Sequence, residues 1–276
     1  MSHLTLSLSS VKQTSSVSVP RPLQPMPLWL SICLFGIPTL VMAISFYFFR
    51  SWLQSLGISE FKSFLTAHIV PTALFLTAAL VALYRVENYP LSWKSLSERF
   101  RFPRLTAKDW LWALVIFLAL MAGYGLASQL GKALVMSGGL PLPAGLPVLI
   151  DPRATLTLSG LDQMAGGAIR GNWEVLVLYF VMLFFNIVGE ELWWRGYLLP
   201  RQELSHGKWA WLVNGGLWTL FHAFKYWDMV GLLPVCLIIA WAAQRMKNNW
   251  PVFIAHYVFN ALALVFIVPA VLGLLA

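Results

Sequence analysis

Residues 174–199 read EVLVLYFVMLFFNIVGEELWWRGYLL, an apolar stretch long enough to cross a bilayer, with Glu190, Glu191 and Arg195 near its end. On insertion scales each ionised group near a bilayer centre costs about 2.5–3.5 kcal/mol. A spanning helix keeps such groups only where they face protein or a water-filled cavity, so they mark a candidate functional site. His222, His256 and Asn260 each lie in an apolar segment elsewhere in the chain and are the candidate partners.

The rest of the chain fits this setting. Of its 276 residues 59% are hydrophobic and 11% charged, against about 25% charged in an ordinary soluble protein. Most of the surface must therefore meet lipid. At about 20 residues per span, the apolar runs predict helices near residues 28–49, 61–84, 110–135, 174–199, 209–224, 229–244 and 250–274. The expected fold class is all-α, a polytopic membrane bundle of about seven transmembrane helices. It forms one integral-membrane domain over residues 27–276, preceded by a Ser-, Thr- and Pro-rich tail (1–26) read as disordered. The run from Leu28 is too long for the apolar region of a signal peptide and is read as a retained helix.

The net charge of +8 does not point to nucleic acid, because the Lys and Arg residues sit in short loops between apolar segments. The expected partner that composition indicates is the lipid bilayer. Cys33 and Cys236 lie inside apolar segments, without metal-ligand spacing, and are read as core residues. Six cations from Arg85 to Lys108, interleaved with Trp93, Phe100 and Phe102, predict a segment lying in the membrane interface. With the N-terminus inside, this loop and Arg201, Lys208, Arg245 and Lys247 all fall on the cytoplasmic side. Arg50, Lys62, Arg153, Arg170 and Lys225 then fall outside. The N-terminus is thus expected in the cytoplasm and residues 137–172 outside.

Helical geometry divides the two glutamates. Glu191 and Arg195 are four apart and share a face, which predicts an ion pair. Glu190 points away from Arg195 and is left without a cation nearby in sequence, as a candidate general base. His256 and Asn260, four apart, share another face. His222 gains weight only from company, since a lone histidine in an apolar helix is more often a hydrogen-bonded core residue. His68 is read as such a packing residue. The alternative for Glu190, Glu191 and Arg195 is a structural or snorkelling cluster at the membrane interface.

Taken together these residues resemble the CAAX prenyl endopeptidase and bacteriocin-processing (CPBP, or ABI) family of intramembrane proteases. Glu190, Glu191 and Arg195 fit its Glu-Glu-x-x-x-Arg motif, and His256 and Asn260 its His-x-x-x-Asn motif. His222 fits the Phe-x-x-x-His motif, with Trp218 at the Phe position, a departure expected to affect packing more than chemistry. The resemblance spans roughly residues 90–270. It implies a glutamate-dependent peptidase whose site opens toward the cytosol and whose partner is a membrane-embedded or lipidated protein or peptide substrate. Glu190 and His222 would activate a water, His256 and Asn260 would stabilise the oxyanion, and Glu191 and Arg195 would support them. No cofactor is expected, since base, water-orienting group and oxyanion donors account for these side chains without a metal. A zinc site drawing ligands from three helices is the less favoured alternative, and no HExxH is present. Two other functions compete: a non-catalytic immunity or scaffold protein of the same family, and a transporter using the buried glutamate as a proton relay. The absence of internal repeats counts against the transporter.

Overall fold

A computed structural model describes residues 20–275, and every regular element among them is helical. In the first part, α1 (Leu28–Ile44) continues through a π-helical turn into α2 (Arg50–Ser55). Then come α3 (Glu60–Val81), α4 (Trp93–Arg99), α5 (Ala107–Met136) and, within the long loop, the short α6 (Leu158–Ala165). The second part begins with α7 (Trp173–Glu190), which runs through a π-helical segment, Glu191–Leu198, into α8 (Leu199–His206). It ends with α9 (Ala210–Phe221), α10 (Met229–Met246), α11 (Trp250–Ala261) and α12 (Leu264–Leu272). Helix starts follow local chemistry. Ser59 caps α3, and Thr106 and Asp109 form a reciprocal capping box on α5, satisfying backbone donors that lack partners in the first turn.

Four continuous helical runs are long and apolar enough to cross a membrane: Leu28–Ser55, Glu60–Val86, Ala107–Met136 and Trp173–Met246. A fifth is counted if Trp250–Ala261 and Leu264–Leu272, bent by 48°, form one span. The chain is therefore a multi-pass membrane protein. The 74-residue run Trp173–Met246 is too long for one crossing of a core about 30 Å thick. It doubles back at the 3-10 turn Gly207–Trp209 and again at 222–228, where Lys225 leaves helical geometry (φ −125°, ψ 56°).

Hydrogen bonds between connections define two ends. At one end, Arg21 N–H donates to Glu87 O, Asn249 N–H to Arg101 O, and Trp250 Nε1–H to Pro103 O. Glu87 there takes both Arg99 and Arg201 in a buried cluster, with contacts of 2.6 and 2.8 Å. At the other end, Trp227 Nε1–H donates to Ile150 O and Gly171 N–H to Val271 O. The first end carries the loop 85–109, the second the segment 137–172.

The expected interfacial segment is only partly so. Trp93 is exposed, but Phe100 and Phe102 are buried, and Phe100 packs where a side chain on Gly196 would otherwise lie. The aromatics thus anchor the loop to the bundle rather than to lipid. Of the stretch 1–26, residues 1–19 lie outside the described residues; the remainder is non-helical, and Met26 is buried with its N–H on Arg201 O. Cys236 is in the core as expected, whereas Cys33 is exposed on α1.

Packing brings α3 against α7, and α10 against both α5 and α9. Two of these contacts depend on glycine. A Cβ on Gly189 would stand 2.4 Å from Thr72 O of α3, and one on Gly215 2.9 Å from Cys236 O of α10. The backbone of α7 beside the glutamates is therefore set directly on α3.

Candidate active site

The helical path after Glu190 does not end near Leu199 but continues to His206 before the turn. At roughly 1.5 Å per residue, Glu190 lies about 24 Å before His206 and His222 about 20 Å after Trp209. The hairpin is not symmetric about its turn: Asn214 donates through Nδ2 to Gln202 Oε1 and also to Trp194 O, and Trp218, one turn farther along α9, reaches Glu190. The longer path sets Glu190 farther from the turn than a span ending at Leu199 would, and Glu190 and His222 line one cavity.

Trp218 stands at the centre of the site. Its indole Nε1–H donates to Glu190 Oε2 at 2.8 Å, and its backbone carbonyl meets His222 Nδ1 at 2.8 Å. The Arg195 guanidinium stacks on the indole, 3.4 Å from the ring centroid, and the His256 ring meets its edge at 5.2 Å. A phenylalanine would keep the packing but could not donate to the carboxylate. Contrary to expectation, tryptophan at this motif position bears on the candidate base more than on the packing, because it adds a hydrogen bond to Glu190.

The two glutamates take different partners. Glu191 Oε1 lies 2.8 Å from His256 Nδ1 and 3.5 Å from Arg195, with the side chains of Glu191 and Arg195 fully buried. The expected i,i+4 pair is present, although the backbone there is π-helical. Such a bulge inside an α-helix commonly sits at a functional site because it re-aims side chains. Glu190 forms no ion pair among the described residues and keeps one oxygen, Oε1, outside the Trp218 bond.

Glu190, His222, His256 and Asn260 line one cavity of about 440 Å³. Glu191 and Arg195 do not line it; they stand behind His256 and Trp218. Both histidines have Nδ1 engaged, which leaves Nε2 as the nitrogen available to the cavity. Since the Trp218 carbonyl can only accept, His222 Nδ1 carries a proton and Nε2 of the neutral ring is an acceptor. Asn260 donates one amide hydrogen to His256 O at 3.1 Å and retains a second.

Several other residues line the wall. His68 lines the cavity, as do Tyr124 and Asp228, joined by a 2.9 Å hydrogen bond. His68 is also the packing residue expected, set among Phe46, Phe64 and Phe224 with Nδ1 3.0 Å from Phe64 O. Asp228 also pairs with Lys225, three residues before it, at 3.2 Å, whereas its contact with Tyr124 is made only by tertiary packing. No group of three or more His, Cys, Asp or Glu residues is placed to hold a metal ion among the described residues.

The cavity runs from Glu190 toward the end carrying the segment 137–172, since Leu149, Ile150 and Lys225 belong to its wall. On its flank Met121 and Leu262 are exposed, beside the bend where α12 leaves α11. Toward the other end the buried residues Trp194, Asn214 and Gln202 and the Glu87 cluster intervene.

Residues 172–262 match the family described as type II CAAX prenyl endopeptidase Rce1-like. This part of the chain is similar to that family. The match begins at Asn172, the N-cap of α7, and ends just past α11. The Rce1-like segment therefore contains every motif residue from Glu190 to Asn260, while the α3 and α5 walls of the cavity lie outside it. No curated protein and no solved structure matches the chain.

Proposed function

We propose that the protein is an intramembrane endopeptidase that hydrolyses a peptide bond of a membrane-associated or lipidated substrate. The observation that carries this reading is the convergence of Glu190, His222, His256 and Asn260 on one cavity within a Rce1-like segment. A water in reach of Glu190 Oε1 and His222 Nε2 loses a proton to the carboxylate and attacks the peptide carbonyl carbon. The negative oxygen that forms is held by His256 Nε2–H and the second Asn260 amide hydrogen. Collapse breaks the C–N bond, and the protonated Glu190 returns its proton to the departing amine. For His256 to donate through Nε2 its ring must carry both protons, and Glu191 is the carboxylate placed to balance that charge. Arg195 in turn balances Glu191 and braces the Trp218 ring.

The same reading treats residues 27–276 as one domain whose run Trp173–Met246 crosses the membrane three times, for seven spans in all. The 85–109 end is assigned to the cytoplasm. It holds most of the Lys and Arg residues and the exposed Trp29, Trp93, Trp110, Trp112, Trp209 and Trp241, an aromatic belt at one interface. In this orientation the cavity is reached from the bilayer past Met121 and Leu262 and from the side of 137–172. The cytosolic opening that the resemblance implies does not accompany it. A transporter reading gains nothing from the cavity, whose inner end is sealed by Trp194, Gln202 and Asn214.

The test compares new N-termini of membrane proteins in cells carrying the wild type or Glu190→Ala. Cleavages that vanish with the variant support an endopeptidase. Identical patterns at equal protein levels favour the non-catalytic scaffold.

A further inference from the structure

α5 and α10 do not pack evenly along their length. Near the 137–172 end they touch closely: a Cβ on Gly231 would lie 2.9 Å from the Tyr124 ring, and one on Gly123 3.1 Å from Pro234. Toward the 85–109 end Trp112 and Trp241 stand on the two helices instead, and a second cavity of about 550 Å³ lies between them. It is separate from the cavity of Glu190 and shares no lining residue with it.

The mouth of this trough is polar and cationic. Lys108 and Arg245 are exposed there, and among the described residues neither enters an ion pair. Asp109 also lines it but is buried and occupied. Its Oδ1 accepts from Asn248 Nδ2 at 2.7 Å, and its Oδ2 accepts from the Thr106 N–H and hydroxyl at 2.8 and 2.7 Å. Two cations and one carboxylate leave a net single positive charge, matched by one phosphodiester. Beyond the mouth the walls are apolar, with Val115, Ile116 and Ala119 facing Ile238. From Lys108 to Ala119 the trough follows α5 for about 16 Å, at 1.5 Å per residue. That is roughly half of a hydrocarbon core about 30 Å thick, the depth of one leaflet. Trp112 and Trp241, both exposed, sit near the polar end, where indoles favour the headgroup level.

We propose that this trough is a binding site for one molecule of an anionic phospholipid. Lys108 and Arg245 hold the phosphodiester by charge-assisted hydrogen bonds, and the wall from Trp112 to Ala119 takes an acyl chain. A soluble phosphate ester would engage the mouth alone and forgo the apolar wall, so the site selects a lipid.

The experiment titrates the purified full-length protein in detergent with phosphatidylglycerol, counting bound lipid by native mass spectrometry. One molecule should bind more tightly than phosphatidylcholine of the same chains, and excess glycerol phosphate should not displace it. The double variant Lys108→Ala/Arg245→Ala should weaken that binding by about tenfold or more, the loss of one charge-assisted contact or better. Val115→Trp, which fills the trough at an exposed position and leaves both cations, should weaken it as well. Unchanged binding in either variant, equal binding of phosphatidylcholine, or displacement by glycerol phosphate would overturn the proposal. All these residues are exposed, so the variants are expected to elute and melt like the wild type.

Discussion

The indole of Trp218 donates a 2.8 Å hydrogen bond to Glu190, tying a residue of α9 to the carboxylate at the end of α7. The same ring carries the Arg195 guanidinium on its face. One side chain thus contacts both the candidate base and a buried guanidinium.

Trp218→Phe tests that role. The ring stack survives and the donor is lost. A hydrogen bond to a charged group contributes about 1.5–3 kcal/mol, so turnover should fall by about tenfold or more. KM should stay nearly unchanged, because the lost contact is not to substrate. Steady-state kinetics on a verified substrate checks this, and an unaltered kcat would show that the bond does not position Glu190 for the reaction.

Glu191→Gln should damage the fold. It strands a fully buried Arg195 and removes the carboxylate from His256. Breaking a buried pair on one side costs about 3–5 kcal/mol. The expected outcome is a large loss of folded protein in membranes, read by detergent gel filtration and thermal unfolding. A variant as stable as the wild type would mean that Arg195 is held by the Trp218 stack alone.

The close approach of α7 and α3 is testable through glycine. Gly189→Ala puts a Cβ 2.4 Å from Thr72 O, where backbone must move, while Gly216→Ala meets nothing within 4 Å. Overpacking costs about 1–3 kcal/mol, so Gly189→Ala should lower the melting temperature and Gly216→Ala should not. Equal melting of the two variants would contradict the α3–α7 contact.

Much of the site was legible in the chain because charge in an apolar helix is costly wherever it lacks a partner. Glu190, Glu191 and Arg195 stood out on that ground, and the i,i+4 rule paired Glu191 with Arg195 correctly. What stayed hidden depends on tertiary contacts. The helical path runs on to His206 because the polar stretch 200–206 stays helical beyond the apolar run, where hydropathy no longer marks it; Gly207, the C-cap with φ 53°, is the local mark of the turn. Trp218 and a phenylalanine are both aromatic and fill similar space, and nothing local shows that the indole N–H meets Glu190. Phe100 looked like an interfacial anchor because nothing on its own helix reports the space above Gly196.

Metal removal separates two chemistries. The cavity side chains are accounted for as base, water-orienting group and oxyanion donors, and His256 Nδ1 already serves Glu191. Activity should therefore survive strong chelation, and metal analysis of active protein should find no stoichiometric zinc. Activity lost on chelation and restored by zinc would favour a metalloprotease with three protein ligands and a water.

The most direct measurement is the cleavage rate of purified Glu190→Gln in proteoliposomes beside the wild type, with thermal unfolding of both. The amide keeps the shape and can still accept the Trp218 hydrogen bond through its oxygen, but it cannot take a proton from water. The account predicts unchanged melting and no detectable cleavage. Cleavage near the wild-type rate by the folded variant would contradict the assignment of Glu190 as the base.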